Sequence, residues 1–330
     1  QDTTETSVSL QVATQKGVDL NFTSVDLTLS LDDFSKRILQ PAMSVLAANI
    51  ESDAMVMYKD VYNQVSNVGS AATFRKVADA GKLLTDCLAP YDARTLNLNT
   101  TDNVDMVDAL KGLYNAQGAL SSNYKTGRLA GPFAGFDDIY ENTMWARHVS
   151  GSDDGTGDYL TNGGTQTGAT LTVDTGTGTL KKGDIVTIDG VFRVHPETKV
   201  STGVLQQFTV TADVGASGTS IGISPVIVVS GASQNVSNAA ADNKAITKVG
   251  GASASYGISM AYHKDAFAFA TADLVMPSGV DFSSRQVLDG ISMRIVRQYD
   301  INNDKFPCRL DVLYGYKTIR AQLAARIANN

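Results

Sequence analysis

Long hydrophobic runs are missing from this sequence. No apolar stretch approaches the roughly 18 residues that cross a bilayer, and nothing is laid out like a secretory signal. Cysteine is scarce too. Cys87 and Cys308 stand far apart and outside any C-x-x-C pattern, which excludes a disulfide-rich scaffold and leaves two reduced, buried thiols as the expectation. Positive charge is also short. There are 27 Lys and Arg against 34 Asp and Glu, a net charge of −7. No basic run exceeds the pairs Lys36-Arg37 and Lys181-Lys182, so a basic stripe for gripping duplex DNA is disfavoured. Charged residues amount to 18%, below the roughly 25% of an average domain. Thr, Ser, Asn, Gly and Ala take their place, giving polar but weakly charged surfaces suited to meeting copies of the same chain.

Catalytic patterns are equally sparse. His148, His195 and His263 are scattered, without Cys, His or carboxylate partners at metal-ligand spacing, and are expected to be structural. No G-x-S-x-G elbow, P-loop, dinucleotide fingerprint or H-E-x-x-H occurs. Asp137-Asp138 reads as a turn, because adjacent side chains point apart. In residues 151–158, Asp153, Asp154 and Asp158 sit among glycines without the alternation and closing acid of a calcium loop; a flexible solvated connection is expected there. Local motifs thus offer no catalytic, cofactor or metal site, and the expectation is a non-enzyme without cofactor or metal, with a hydrolase carrying an accessory β domain as a rival reading.

What is present is a chain of 330 residues with 43% hydrophobic content, enough for two compact units or one domain with a large insertion. Residues 7–29 alternate as strands: Val8, Leu10 and Val12, then after Lys16-Gly17 a second run with Val25, Leu27 and Leu29. Ser30 reads as an N-cap, with Asp32 and Asp33 in the first turn of a short helix. Pro41 opens a longer helix to about Tyr62, striped by Met43, Leu46, Ala47, Ile50, Ala54, Met57 and Val61. Further helices are expected at 72–88, with Phe74, Val77, Leu84 and Leu88 inward, and at 102–113, with Val104, Val107 and Leu110 inward. A strand at Arg94–Leu98 lies between them.

Near Gly151 the composition shifts to Gly, Thr, Ser and Val. Asp189-Gly190 between Val186–Ile188 and Val191–Val194 reads as a tight hairpin. Phe208 with Val210, Ile221 with Ile223, and Val226–Val229 add short strands, suggesting a small barrel or sandwich with polar connections at 151–170 and 230–245. Long strands return at Ile291–Val296 and, after a turn at Ile301–Asp304, at Leu310, Val312 and Tyr314. A short helix or irregular tail is expected at the end.

This order of elements resembles the Hong Kong 97 capsid fold of tailed bacteriophages. Within it the chain resembles the coat-protein family of short-tailed phages that carry an inserted β domain. The resemblance rests on Ala134-Gly135-Phe136-Asp137-Asp138-Ile139 before the insertion, on residues 180–191 (LKKGDIVTIDGV) and Leu205-Gln206-Gln207-Phe208-Thr209-Val210 within it, and on Asp311-Val312-Leu313-Tyr314-Gly315-Tyr316 near the end. It departs at the front: the family's N-terminal arm and the first strand of its extended loop would precede Gln1, as though cleaved or lying outside the given numbering.

The resemblance implies an α+β fold divided into 1–30 (the rest of the E-loop and P-domain strands), 31–65 (P-domain helices, including the spine helix), 66–150 (A-domain), 151–250 (inserted β domain) and 251–330 (returning strands). It implies a major capsid protein that self-assembles as hexamers and pentamers into the icosahedral head around double-stranded DNA. The implied partners are its own copies, the portal, scaffolding and decoration proteins. The chain would reside in the virion after assembly in the host cytoplasm. Val8, Leu10 and Val12 are the candidates for packing between subunits. The alternative reading is a secreted or surface β-rich binding module.

Overall fold

The computed structural model describes residues 7–23, 40–109, 129, 132–155, 158–174, 176–288 and 290–329. In chain order the elements begin with β1 (Thr14–Thr23), α1 (Gln40–Met55), a 3-10 turn (Val56–Asp60), β2 (Gln64–Ser66) and α2 (Phe74–Asp86). Next come β3 (Arg94–Asn99), α3 (Thr100–Ala109), β4 (Asp138–Asn142) and β5 (His148–Val149). The insertion carries β6 (Tyr159–Leu160), β7 (Gly168–Thr172), β8 (Ile185–Val194), β9 (Ser201–Val210), β10 (Ser220–Ile227) and β11 (Ala245–Lys248). The chain finishes with β12 (Ser255–His263), β13 (Phe267–Ala272), β14 (Phe282–Leu288), β15 (Ile291–Arg297), β16 (Lys305–Thr318) and β17 (Ala324–Asn329). Two compact units result, Gln1–Met55 with Phe267–Ile319, and Val56–Ala266 with Arg320–Asn330.

The first unit is built around the 14-residue β16. On one side β1 pairs along it from Thr14↔Tyr314 to Thr23↔Lys305. On the other side lie β15 and β13, with β14 beyond β15. Helix α1 covers one face, where Leu46 and Ile50 meet Val312 and Tyr314, with Val18, Ile291, Met293 and Tyr316 around them. The alternation of Leu310, Val312 and Tyr314 read from the sequence is what makes that face apolar. Two expectations fail here. Strand β1 runs unbroken through Lys16-Gly17, because a Cβ on residue 17 would lie 2.9 Å from Leu310 O, so glycine there serves close strand approach rather than a turn. The long helix stops at Met55 and tightens into the 3-10 turn, and Ala47 faces solvent. Val25, Leu27, Leu29 and the short helix after Ser30 lie outside the described residues.

In the second unit a lobe is formed by the sheet β2-β17-β12-β3-β4, with β5 beside β12. Helix α2 packs on it through Val77, Ala80 and Leu84, while Phe74 and Leu88, expected inside, are 51% and 44% exposed. Helix α3 buries Asp102, Asn103 and Met106 and turns Val104 outward, because polar ties to β12 and β17 set its rotation; Leu110 lies outside the described residues. Only a 3-10 turn at Ala321–Leu323 matches the short helix expected for the tail. Residues Ala324–Asn329 form a fully buried strand between β2 and β12. Ala-Ala-Arg-Ile-Ala has weak strand propensity, but small side chains fit a position covered on both faces, and pairing on both edges overrides the local preference.

The insertion is a barrel. Its sheet runs β6-β11-β8-β9-β10-β7, and the ends close where Thr161 bridges Val173, with Asn162 N donating to Thr172 O at 3.0 Å and Asp174 N to Leu160 O at 2.8 Å. Closure removes free strand edges. Asp189-Gly190 is not a hairpin: β8 passes straight through it and the register with β9 shifts between Thr187 and Phe192. Gly190, at φ +81°, accommodates this irregularity as only glycine does without strain. The expected polar connections are also part of the body. Asp153 is buried, Asp158 accepts from Gly178 N at 2.7 Å, and Val236 and Ala240 belong to the core.

Candidate functional site

In the first unit, Val8, Leu10 and Val12 precede β1 rather than forming a strand. Val8 is 48% exposed, and Leu10 and Val12 are half-buried. The segment lies against the far end of β16. Lys317 Nζ donates to Ser9 O at 2.8 Å, and a Cβ on Gly315 would come within 2.2 Å of Gln11 O, so the chain rests directly on glycine backbone.

On the same sheet, fully buried Asp311 accepts a forked pair from Arg294, Nε at 3.0 Å and Nη2 at 2.6 Å, and a third bond from Gln15 Nε2 at 2.7 Å. Arg309 Nε lies 3.4 Å away. The forked bond holds the Arg294 guanidinium above its ordinary pKa, burial opposing. The remaining Arg294 nitrogen, Nη1, donates to Val275 O at 2.5 Å and so pins a loop whose Val275 side chain is 83% exposed. Ile301, at the β15–β16 turn, is 79% exposed. Asp53 of α1 receives Lys16 at 2.6 Å and the Tyr314 hydroxyl at 2.5 Å. Burial would raise its carboxyl, but these two partners hold it below the usual range.

In the second unit, the barrel turn 181–184 enters a buried polar joint with the lobe. His148 Nε2 lies 2.9 Å from Asp184 Oδ1, and its Nδ1 lies 3.0 Å from the Tyr58 hydroxyl. Facing a carboxylate, Nε2 is the donor, which makes Nδ1 the acceptor in the neutral ring. Asp184 Oδ2 also accepts from Gly151 N at 2.9 Å and Lys181 N at 2.8 Å. Burial pushes this carboxyl up, yet the bonds from His148 and the two amides leave it below its ordinary value. Arg326 of β17 is fully buried and donates Nη2 to Gly183 O. Gly183 sits at φ +97°, and a Cβ there would lie 2.9 Å from Lys59 Cγ and 3.1 Å from His148 Cε1. Tyr58 is raised to about 12, chiefly by burial.

Of the three histidines, only His148 joins this cluster. His195 receives the N–H groups of Glu197 and Thr198 at 3.3 Å, and buried His263 receives Asp265 N at 3.2 Å. Among the described residues, no group of three His, Cys, Asp or Glu side chains is disposed to hold a metal. No helix among them is long and apolar enough to cross a membrane. Sequence reasoning passed over Asp184, Asp311 and Arg326. The signal was there for two of them: a single charge inside an otherwise apolar strand, Leu-Asp-Val-Leu-Tyr and Ala-Arg-Ile-Ala, marks an ion that must find a partner indoors.

Solved structures that resemble the chain come from phage capsids. The capsid of cyanophage P-SCSP1u aligns with TM-score 0.47 at 9% identity, covering 99% of this chain and 78% of that one. The mature capsid of bacteriophage PhiM1 gives 0.45 at 9%, over 100% and 76%. The CUS-3 coat protein I-domain is 31% identical over 28% of this chain and 96% of its own length, with TM-score 0.23. With TM-scores below 0.5, these likenesses accompany the family match rather than carry it. No curated protein matches the chain. The protein is a shell-forming subunit with the Hong Kong 97-type capsid fold. Residues 1–325 match the model of the P22 coat protein, gene protein 5, and the chain belongs to that family. It is a major capsid protein, it forms the phage shell, and its place is the virion.

Proposed function

We propose that the subunit builds the shell as hexamers and pentamers around double-stranded DNA, without catalysis of its own. Residues 1–30 serve as the rest of the E-loop and P-domain strands, 31–65 as P-domain helices, 66–150 as A-domain, 151–250 as the inserted domain and 251–330 as returning strands. Val8, Leu10 and Val12 pack against a neighbouring copy. Portal, scaffolding and decoration proteins are its further partners, and assembly takes place in the host cytoplasm.

The observation that supports this reading best is the front segment, where an exposed valine leads half-buried apolar residues on backbone seated against β16. Each contact with a neighbour is weak, but many neighbours compound it, and heterologous contacts must close into rings rather than run on as fibres.

The test is Val8→Asp in the full gene, with scaffolding protein supplied, read by size exclusion and negative-stain microscopy. Closed shells from the parent and unassembled folded subunits from the variant are expected, with folding stability changed by less than about 0.5 kcal/mol. Normal shells from the variant overturn the role of this segment, and a parent that stays monomeric overturns the ring assembly.

A further inference from the structure

The barrel and the lobe of the second unit are held together by contacts unlike those within the barrel. The apolar core of the barrel is drawn wholly from residues between Tyr159 and Ile246. The contacts across the joint are polar. Gln207 uses its side chain as a strand partner for Gln64, accepting from its N–H at 2.8 Å and donating to its carbonyl at 3.0 Å. Thr209 Oγ1 donates to Lys59 O at 2.7 Å, and Arg193 Nη2 to Asp86 Oδ2 at 2.9 Å. Such bonds exchange for bonds to water with little net loss apiece. A buried charge that loses its partner does not.

We propose that the His148–Asp184 joint is a latch: the ionised carboxylate of Asp184 holds the β-barrel on the lobe, and its neutralisation lets the barrel leave with its own fold intact. The charges around it decide the direction. From β17 comes Arg326, from β11 Lys248, from the 3-10 turn Lys59, and from β5 His148 itself. The phenols of Tyr58 and Tyr256 complete the wall, Lys181 and Lys182 flank the turn at the surface, and Asp153 and Asp154 act on Lys248. Lys248 Nζ is already committed to Gly151 O at 2.7 Å and Gly251 O at 2.9 Å, and the Arg326 Nε and Nη1 atoms have no hydrogen-bond partner among the described residues. Neutralising Asp184 therefore removes the carboxylate that acts on buried Arg326, weakens the acceptor of the His148 Nε2 hydrogen bond, and removes the charged acceptor of two backbone amides. Resting on the shell-forming function, a body that can leave its seat without unfolding lets identical copies meet unlike neighbours.

Hydrogen exchange of the full-length subunit, read by mass spectrometry and corrected for intrinsic rates, tests this. At pH 7, Asp184→Asn is expected to speed exchange in peptides covering 148–152 and 181–184 by roughly tenfold or more. Peptides from 185–194 and 205–210 keep the parent's rates. The exposed carboxylate of Asp213, which accepts from Lys182 N at 2.8 Å, supplies the control, and Asp213→Asn leaves the joint closed. If the Asp184 variant does not fold, the parent titrated from pH 7 towards about pH 3 gives the same readout, joint first and core strands later. Exchange that rises in joint and core together, a joint that stays closed, or a control that opens it equally overturns the latch.

Discussion

The barrel and the lobe it interrupts lie in the same unit but are stabilised by different physics. Among the described residues, sixteen buried hydrophobic side chains gather in one barrel core, the Tyr159 hydroxyl donating to Gly178 O at 2.7 Å, while Thr161, Asp184, Gln206, Thr209 and Lys248 are buried beside them. The lobe buries Arg94, Asn99, Ser259, Arg326 and Asn329 in its sheet and Asp102 in α3, among its apolar residues. Apolar burial is non-directional and strong per side chain. Buried polar networks add little net stability but tolerate few alternative arrangements. The barrel is thus the part that resists unfolding, and the lobe and its joint are the parts that fix orientation.

The largest expected effect breaks the barrel. Phe208→Ala should cost about 3–5 kcal/mol, measured by urea denaturation. A loss below about 1 kcal/mol would mean the barrel is no better packed than the lobe. Next comes the joint. Asp184→Ala should cost about 3 kcal/mol at neutral pH by stranding His148 and Arg326. The sign follows from the depressed carboxyl. Its contribution is complete above the unfolded value of 3.8 and is lost as pH falls through the lower folded value. The parent should therefore lose stability in that acid window and the variant should lack that part of the slope; parallel pH profiles would remove Asp184 from the account.

A smaller effect, about 1 kcal/mol, is expected for Gln207→Ala, which leaves the Gln64 backbone to water. A cost as large as that of Phe208→Ala would make the joint part of the core. The smallest concerns Asp102, whose Oδ2 accepts from Ser259 Oγ at 2.5 Å and Asn329 Nδ2 at 2.8 Å. Burial outweighs these bonds and raises its carboxyl. The protonated form is thus favoured by folding, and its contribution is full below 3.8 and fades as pH rises through the raised value. Asp102→Asn should change stability by less than about 1 kcal/mol at pH 7. A large loss would show that the lobe relies on this charge.

Periodicity made some of this legible and misled elsewhere. The β16 face of Leu310, Val312 and Tyr314 appears as read, because alternate residues of a strand must share a face. For α3 the same reasoning chose Val104, which is 63% exposed, since the helix turns its Asp102 towards Ser259 and Asn329 instead. Asp189-Gly190 carries the right turn chemistry, yet the neighbouring strands extend β8 past it. Among the candidate interface residues, alternation read a strand through Val8, Leu10 and Val12 that does not form, because the ladder starts only at Thr14, on Tyr314, 300 residues away.

By itself the sequence determined what local chemistry controls: apolar faces at period two, a helix opened at Pro41, a Gly/Thr/Val-rich insertion built of strands, and weakly charged surfaces without a catalytic signature. Only the tertiary structure decided that Ala324–Asn329 becomes a central strand, that the barrel closes between Thr161 and Val173, and that Asp184, Asp311 and Arg326 go inside. The reason is physical. Burial of a charge and pairing of a strand depend on groups distant in the chain, whose approach is set by the whole fold and leaves no local periodic trace.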